Sequence, residues 1–142
     1  MGKNYVAYVG TYTNGSSIGI HVYDVDVEGQ RLVERGVVPV HNSSHITKSH
    51  NGKYLYSIAD EGVEVLRIEP NGDLTPINKV GIDGMRGCYL STDHQGKFLF
   101  VGGYHDGKVT VVHTHQDGRL GSVMSSMRGC SAAAPQSRYD AR

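Results

Sequence analysis

Gly52-Lys53-Tyr54-Leu55-Tyr56 returns 44 residues later as Gly96-Lys97-Phe98-Leu99-Phe100. A second landmark keeps nearly the same period: Asn71-Gly72-Asp73-Leu74 returns 46 residues later as Asp117-Gly118-Arg119-Leu120. Tyr8-Val9-Gly10-Thr11-Tyr12 matches Phe100-Val101-Gly102-Gly103-Tyr104 at 92 residues, twice that period. Glu28-Gly29-Gln30-Arg31-Leu32 is then the first copy of the second landmark. Three landmarks at one spacing mark an internal repeat, and such a repeat decides the architecture before any single element does.

Within a unit the pattern is strand, turn, strand, turn, strand. Apolar runs cover Tyr5–Val9, Ile18–Val25, His45–Lys48, Tyr54–Ile58, Val63–Ile68, Cys88–Leu90, Phe98–Val101 and Val109–Val112. They are rich in Val, Ile, Tyr and Phe, the residues that suit a pleated, half-buried surface. Between them stand Asn51-Gly52, Asn71-Gly72, Gln95-Gly96 and Asp117-Gly118. Asn-Gly and Asp-Gly supply the positive φ angles of tight hairpins. No ten-residue stripe at helical spacing occurs, so the fold class is all-β. Four short strands in every 40–50 residues are the signature of a β-propeller blade, a sheet of four antiparallel strands. With A the innermost strand, one blade reads A Ser44–Lys48, B Lys53–Ile58, C Val63–Glu69 and D Leu74–Val80. The next reads Cys88–Thr92, Lys97–Val101, Val109–His115 and Leu120–Met124. The first blade enters at a B strand, Tyr5–Val9, with no A strand before it.

Composition narrows the function. Lys and Arg (14) balance Asp and Glu (14), which argues against a nucleic-acid partner. No segment approaches the ~18 apolar residues of a membrane span, and no secretory apolar region follows Met1. Val6 stands where a myristoylation signal wants Ser or Thr. A cytoplasmic location is expected. Cys88 and Cys130 make neither a disulfide framework nor a metal spacing, and Cys88 is expected to be buried. The glycosylation sequons Asn14-Gly15-Ser16 and Asn42-Ser43-Ser44 carry no meaning without secretion. A Trp-Asp repeat is excluded because the chain has no Trp.

Tyr8-Val9-Gly10-Thr11-Tyr12-Thr13-Asn14-Gly15 followed by Gly19-Ile20-His21-Val22-Tyr23 resembles the opening of the seven-bladed propeller lactonases, the 6-phosphogluconolactonase or cycloisomerase-2 family. The Gly-Lys-aromatic-Leu segments at Gly52 and Gly96 are similar to that family's recurring segments. Gly103-Tyr104-His105-Asp106-Gly107-Lys108-Val109 and Asp117-Gly118-Arg119-Leu120-Gly121 resemble its third blade. The likeness runs over about residues 5–123. Two departures touch pocket detail: Gly87-Cys88-Tyr89-Leu90 stands where the family tends to carry Pro and His, and Gly103 where it often has Asn. From about Ser125 the pattern stops. The expected organisation is blades over 1–127 and a non-repeat, disordered tail over 128–142, the product of a frameshift or truncation. At about 45 residues a blade, 142 residues hold barely three of an expected seven, an open arc.

The resemblance implies hydrolysis of 6-phosphogluconolactone or a similar sugar lactone by the full-length protein, with no cofactor and no metal. Lactone opening needs a directed water, a base for its proton and donors for the oxyanion. A phosphorylated sugar also needs Arg or Lys. The family's proposed His, Arg and acidic residues lie largely in later blades, so no catalytic set carries over. Candidates for substrate contact are His45 and Tyr89, equivalent A-strand positions, and Tyr12 and Tyr104, equivalent positions just after strand B. Arg86, ahead of an A strand, and His105, in a turn, complete the set. Packing and turn roles compete with every one of these. His113-Thr114-His115 has metal-like spacing, yet the equivalent pairs are Asp24/Asp26 and Arg67/Glu69, which favours a solvated strand end. The alternatives to a lactonase fragment are a non-enzymatic binding module and an inert truncated product. In each case exposed blade edges favour self-association.

Overall fold

In the computed structural model, residues 4–84 and 86–128 are described, and every regular element among them is a β-strand. The first sheet holds β1 (Tyr5–Val9), β2 (Gly19–Asp26) and β3 (Arg31–Pro39), paired in that order. The second runs β4 (Ile46–Lys48), β5 (Tyr54–Ala59), β6 (Gly62–Ile68) and β7 (Leu74–Gly81). The third repeats it as β8 (Tyr89–Thr92), β9 (Phe98–Gly102), β10 (Lys108–Thr114) and β11 (Leu120–Arg128). All neighbours are antiparallel, so each sheet is a meander of the predicted A–B–C–D order, the first beginning at B.

The hairpin turns obey the expected chemistry: Gly72 and Gly118 sit at φ 91° and 93°. A side chain at either would also meet the preceding blade, Val6 Cγ2 at 2.6 Å from a Cβ on Gly72 and the Tyr54 ring against one on Gly118. Those two residues occupy equivalent places on β1 and β5. Two positions further on, Tyr8 donates its hydroxyl proton to the Gly72 carbonyl at 2.5 Å, and Tyr56 donates to that of Gly118 at 2.9 Å. Each blade is thus pinned to the next by a Tyr-to-Gly bond. Phe100 fills the third equivalent place.

The core lies between the sheets. Ile20, Val22 and Val40 pack with Leu55, Leu66 and Leu74 at the first junction. Tyr54, Tyr56, Ile58, Val63 and Val65 meet Leu90, Leu99, Val101, Val112 and Leu120 at the second. Alternate residues of β5 therefore face opposite neighbours, which explains its near-continuous apolar sequence. Every C–D pair carries an irregularity at the same place, between Val22 and Tyr23, Val65 and Leu66, and Val111 and Val112. The extra residues are Arg35, Ile77 and Met124. Arg35 reaches Asp24 at 2.5 Å and, across the junction, Asp73 at 3.0 Å. Ile77 packs into the second core, and Met124 is exposed.

Two expectations are corrected. Cys88 is exposed rather than buried: its backbone N–H pairs with Gly102 O at the entry to the A strand, and among the described residues its thiol is left open to solvent. The pattern does not stop at Ser125: β11 continues to Arg128, since the opposing β10 supplies ladder partners from Ser125 through Arg128. The tail expected beyond it falls outside the described residues.

Candidate functional site

The loops after the B strands and those leading into the A strands meet at one end of the arc. Asp60 closes the β5–β6 turn and occupies the place that Tyr12 and Tyr104 hold in the other blades. Asn42 and Arg86 are likewise equivalent, each two residues before its A segment. Both address Asp60: Asn42 Nδ2 donates to Asp60 Oδ1 at 2.7 Å and Arg86 Nη1 lies 3.4 Å from the same oxygen. The Asn42 hydrogen bond and, after it, the Arg86 guanidinium hold the Asp60 carboxyl below the usual carboxylate range. Asn42 Oδ1 in turn accepts the Thr13 backbone N–H at 2.8 Å, tying in the first blade. The Arg86 guanidinium stacks over the Tyr12 ring at 5.4 Å. Side chains contributed by all three blades thus converge around Asp60.

Deeper along the A strands, the His45 and Tyr89 rings meet at 4.5 Å. Leu90 N–H donates to His45 Nδ1 at 3.2 Å, which leaves the proton of a neutral imidazole on Nε2. Burial lowers the His45 pKa and so favours that neutral form. Tyr104 and His105 form a second ring pair, edge to face at 5.4 Å, with Tyr104 82% exposed. All six candidates are brought into contact in pairs: Tyr12 with Arg86, His45 with Tyr89, and the sequence neighbours Tyr104 and His105. Asp60 is not among the sequence candidates and Asn42 figures there only as part of a sequon; the repeat places them level with Tyr12 and Arg86, and that alignment is the available signal.

Behind Asp60 a cavity of about 280 Å³ is lined by His41, Glu61, Glu64 and Lys79. Glu64 is buried, with Lys79 Nζ 3.8 Å away, and burial raises its pKa. His113 and His115 touch edge to face at 5.3 Å, and among the described residues no three His, Cys, Asp or Glu side chains are grouped to hold a metal ion. No helix among those residues is long and apolar enough to cross a membrane.

Arg86 offers a cation, Tyr12 and Tyr89 offer ring faces, and neutral His45 offers an N–H: a set suited to a polar, anionic small molecule. The family model "Lactonase, 7-bladed beta-propeller" matches residues 6–141. The 6-phosphogluconolactonase of Bacillus subtilis is 38% identical over 127 residues, covering 85% of this chain and 36% of that protein. A Klebsiella pneumoniae 6-phosphogluconolactonase is 32% identical over 120 residues, 80% of this chain and 36% of its own. Among solved structures, the periplasmic gluconolactonase PpgL of Pseudomonas aeruginosa superposes with a TM-score of 0.79 at 30% identity, over 88% of this chain and 39% of that one. A candidate 6-phosphogluconolactonase of Bacteroides fragilis superposes at 0.82 with 27% identity, over 95% and 39%. The chain spans about a third of the length of the curated relatives it matches. It belongs to the seven-bladed β-propeller lactonase family.

Proposed function

We propose that this chain forms one wall of the substrate channel of a lactonase acting on 6-phosphogluconolactone or a similar sugar lactone, a carboxylic ester hydrolase, and that the catalytic groups stand on blades outside it. The observation that carries this reading is the convergence of Arg86, Tyr12, Asn42 and Asp60 from three blades at one end of the arc. In that role Arg86 holds the anionic group of the substrate, its charge partly balanced by Asp60. Tyr12 keeps the guanidinium flat, and His45 Nε2–H hydrogen-bonds to a sugar oxygen. A cytoplasmic setting fits the free thiol of Cys88.

The test is lactone hydrolysis by the chain and by a full-length relative, with spontaneous opening subtracted. The relative is expected to turn over and this chain to match the spontaneous rate. Turnover of the sugar lactone by the 142-residue chain would place the catalytic groups within it and defeat the proposal.

A further inference from the structure

On the face of β2 turned away from the second blade, Ser17 Oγ lies 2.7 Å from His21 Nε2, and His21 Nδ1 lies 2.5 Å from Glu34 Oε1. From this geometry we infer that Ser17, His21 and Glu34 form a nucleophilic relay, with Ser17 the acyl acceptor for small activated esters. The polarity follows from proton counting. An ionised Glu34 only accepts, so Nδ1 must donate to it. In that tautomer the Nε2 lone pair faces the Ser17 hydroxyl, its shorter acceptor at 2.7 Å, and the hydroxyl donates there. This is the arrangement in which a serine is activated by a base that a carboxylate orients.

Three further groups face the Ser17 oxygen. Gly19 N–H points to it at 3.4 Å, the Gly19 carbonyl oxygen stands 3.5 Å from it, and the Thr11 hydroxyl lies 2.6 Å away while also reaching that carbonyl at 2.6 Å. The Thr11 proton goes to the Gly19 carbonyl, so Thr11 fixes the place of the serine oxygen while the Ser17 proton stays free for His21. The network is also reachable: Ser17 is half-buried, and the His21 and Glu34 side chains are 21% and 49% exposed. The irregularity between Val22 and Tyr23 sets Glu34 opposite Tyr23, diagonal to His21, while the extra residue Arg35 turns to the other face.

In the reaction the Ser17 oxygen bonds to the ester carbonyl carbon as its proton passes to His21 Nε2. The carbon–oxygen bond to the leaving group breaks, and the proton follows the departing oxygen. Water then attacks acyl-Ser17, giving one proton to His21, which returns it to Ser17 as the carboxylic acid leaves. Bonds and protons balance with no oxidant, reductant or metal.

The experiment treats the folded chain with p-nitrophenyl acetate and, separately, with a fluorophosphonate, and maps adducts by peptide mass spectrometry. A single adduct on Ser17 is expected, absent in Ser17→Ala. His21→Asn is expected to slow labelling at least about 100-fold and Glu34→Gln about 10-fold or more. Far-ultraviolet circular dichroism checks each variant, and Glu34→Gln, at an exposed position, decides the matter where His21→Asn is unfolded. No adduct on the wild-type chain, adducts only on other serines, or variants labelled as fast as wild type would overturn the inference. Each of those failures leaves the lactonase reading untouched, because sugar-lactone turnover is measured separately.

Discussion

The Tyr56 hydroxyl, buried at the second junction, has one partner among the described residues, the Gly118 carbonyl at 2.9 Å. Removing it in Tyr56→Phe leaves that carbonyl short of a donor, at a cost of about 1–2 kcal/mol. Burial also pushes the phenol pKa from 10.0 to about 12. The folded state therefore holds this proton more tightly than the unfolded chain does. Its contribution is complete below pH 10 and lost as pH rises through 12. Urea midpoints measured from pH 8 to 12 are expected to fall more steeply above pH 10 for wild type than for Tyr56→Phe; parallel curves would show that burial of this phenol is not linked to folding. The same scale shows what was legible about the site. Tyr12 stood out because the repeat sets Tyr104 at the equivalent place, and Arg86 because a cation stands just ahead of an A strand. Asp60 hid for the opposite reason: an acidic residue in a turn looks ordinary until Asn42 and Arg86 are seen to share its oxygen. Ser17, His21 and Glu34 carried no motif at all. Their meeting depends on a hairpin register and its irregularity, which spacing along the chain does not encode.

At the level of strands and turns, most of the fold was readable because each blade spells the same grammar of apolar run and Gly-centred turn. The exceptions share a cause. β3, Arg31–Pro39, mixes Glu and Arg into a strand exposed along most of its length, so neither alternation nor a continuous apolar run reveals it. The end of β11 reads Ser-Ser-Met-Arg and is strand only because β10 supplies the partners. The entry to each A strand is tighter than its sequence suggests. Ser43 is fully buried and exchanges hydrogen bonds with Thr11, donating to its carbonyl and accepting from its N–H. Gly87, its equivalent, has no such room: a Cβ there would lie 2.5 Å from Val101 Cγ1 and 2.9 Å from Ile58 Cδ1. Both atoms belong to the second junction's core, so Gly87→Ala forces that core apart and is expected to cost about 1–3 kcal/mol. Denaturant unfolding checks it, and a variant as stable as wild type would mean that the A strand moves aside freely.

Across the molecule, the two outward faces differ from the two junctions between blades in having no neighbour among the described residues. Each junction buries a row of side chains, whereas the outer face of the first sheet leaves Tyr5 52% and Val9 42% exposed. At the other end Val109, Met124 and Met127 are 43%, 57% and 66% exposed. The residue that turns toward the next blade illustrates the asymmetry: Arg35 finds Asp73, Ile77 finds a core, and Met124 finds solvent. Blades in such arrays gain their stability from neighbours, so a face without one is both a loss of stability and an invitation. The edges add to it, since β1 and β8 expose backbone donors and acceptors on their unpaired sides within their sheets. The two end faces are unlike, so contact between them is head-to-tail and does not close at two copies. We therefore expect association that grows with concentration into a ladder of sizes rather than a discrete dimer. Light scattering on a size-exclusion column, run over a hundredfold range of loading, reads this directly. Met124→Glu together with Met127→Glu places charge on the outer face of the third blade and is expected to shift the ladder toward monomer while leaving both junctions intact. A wild-type chain that elutes as one monodisperse monomer at every loading would show that its exposed faces are stable in water as they stand.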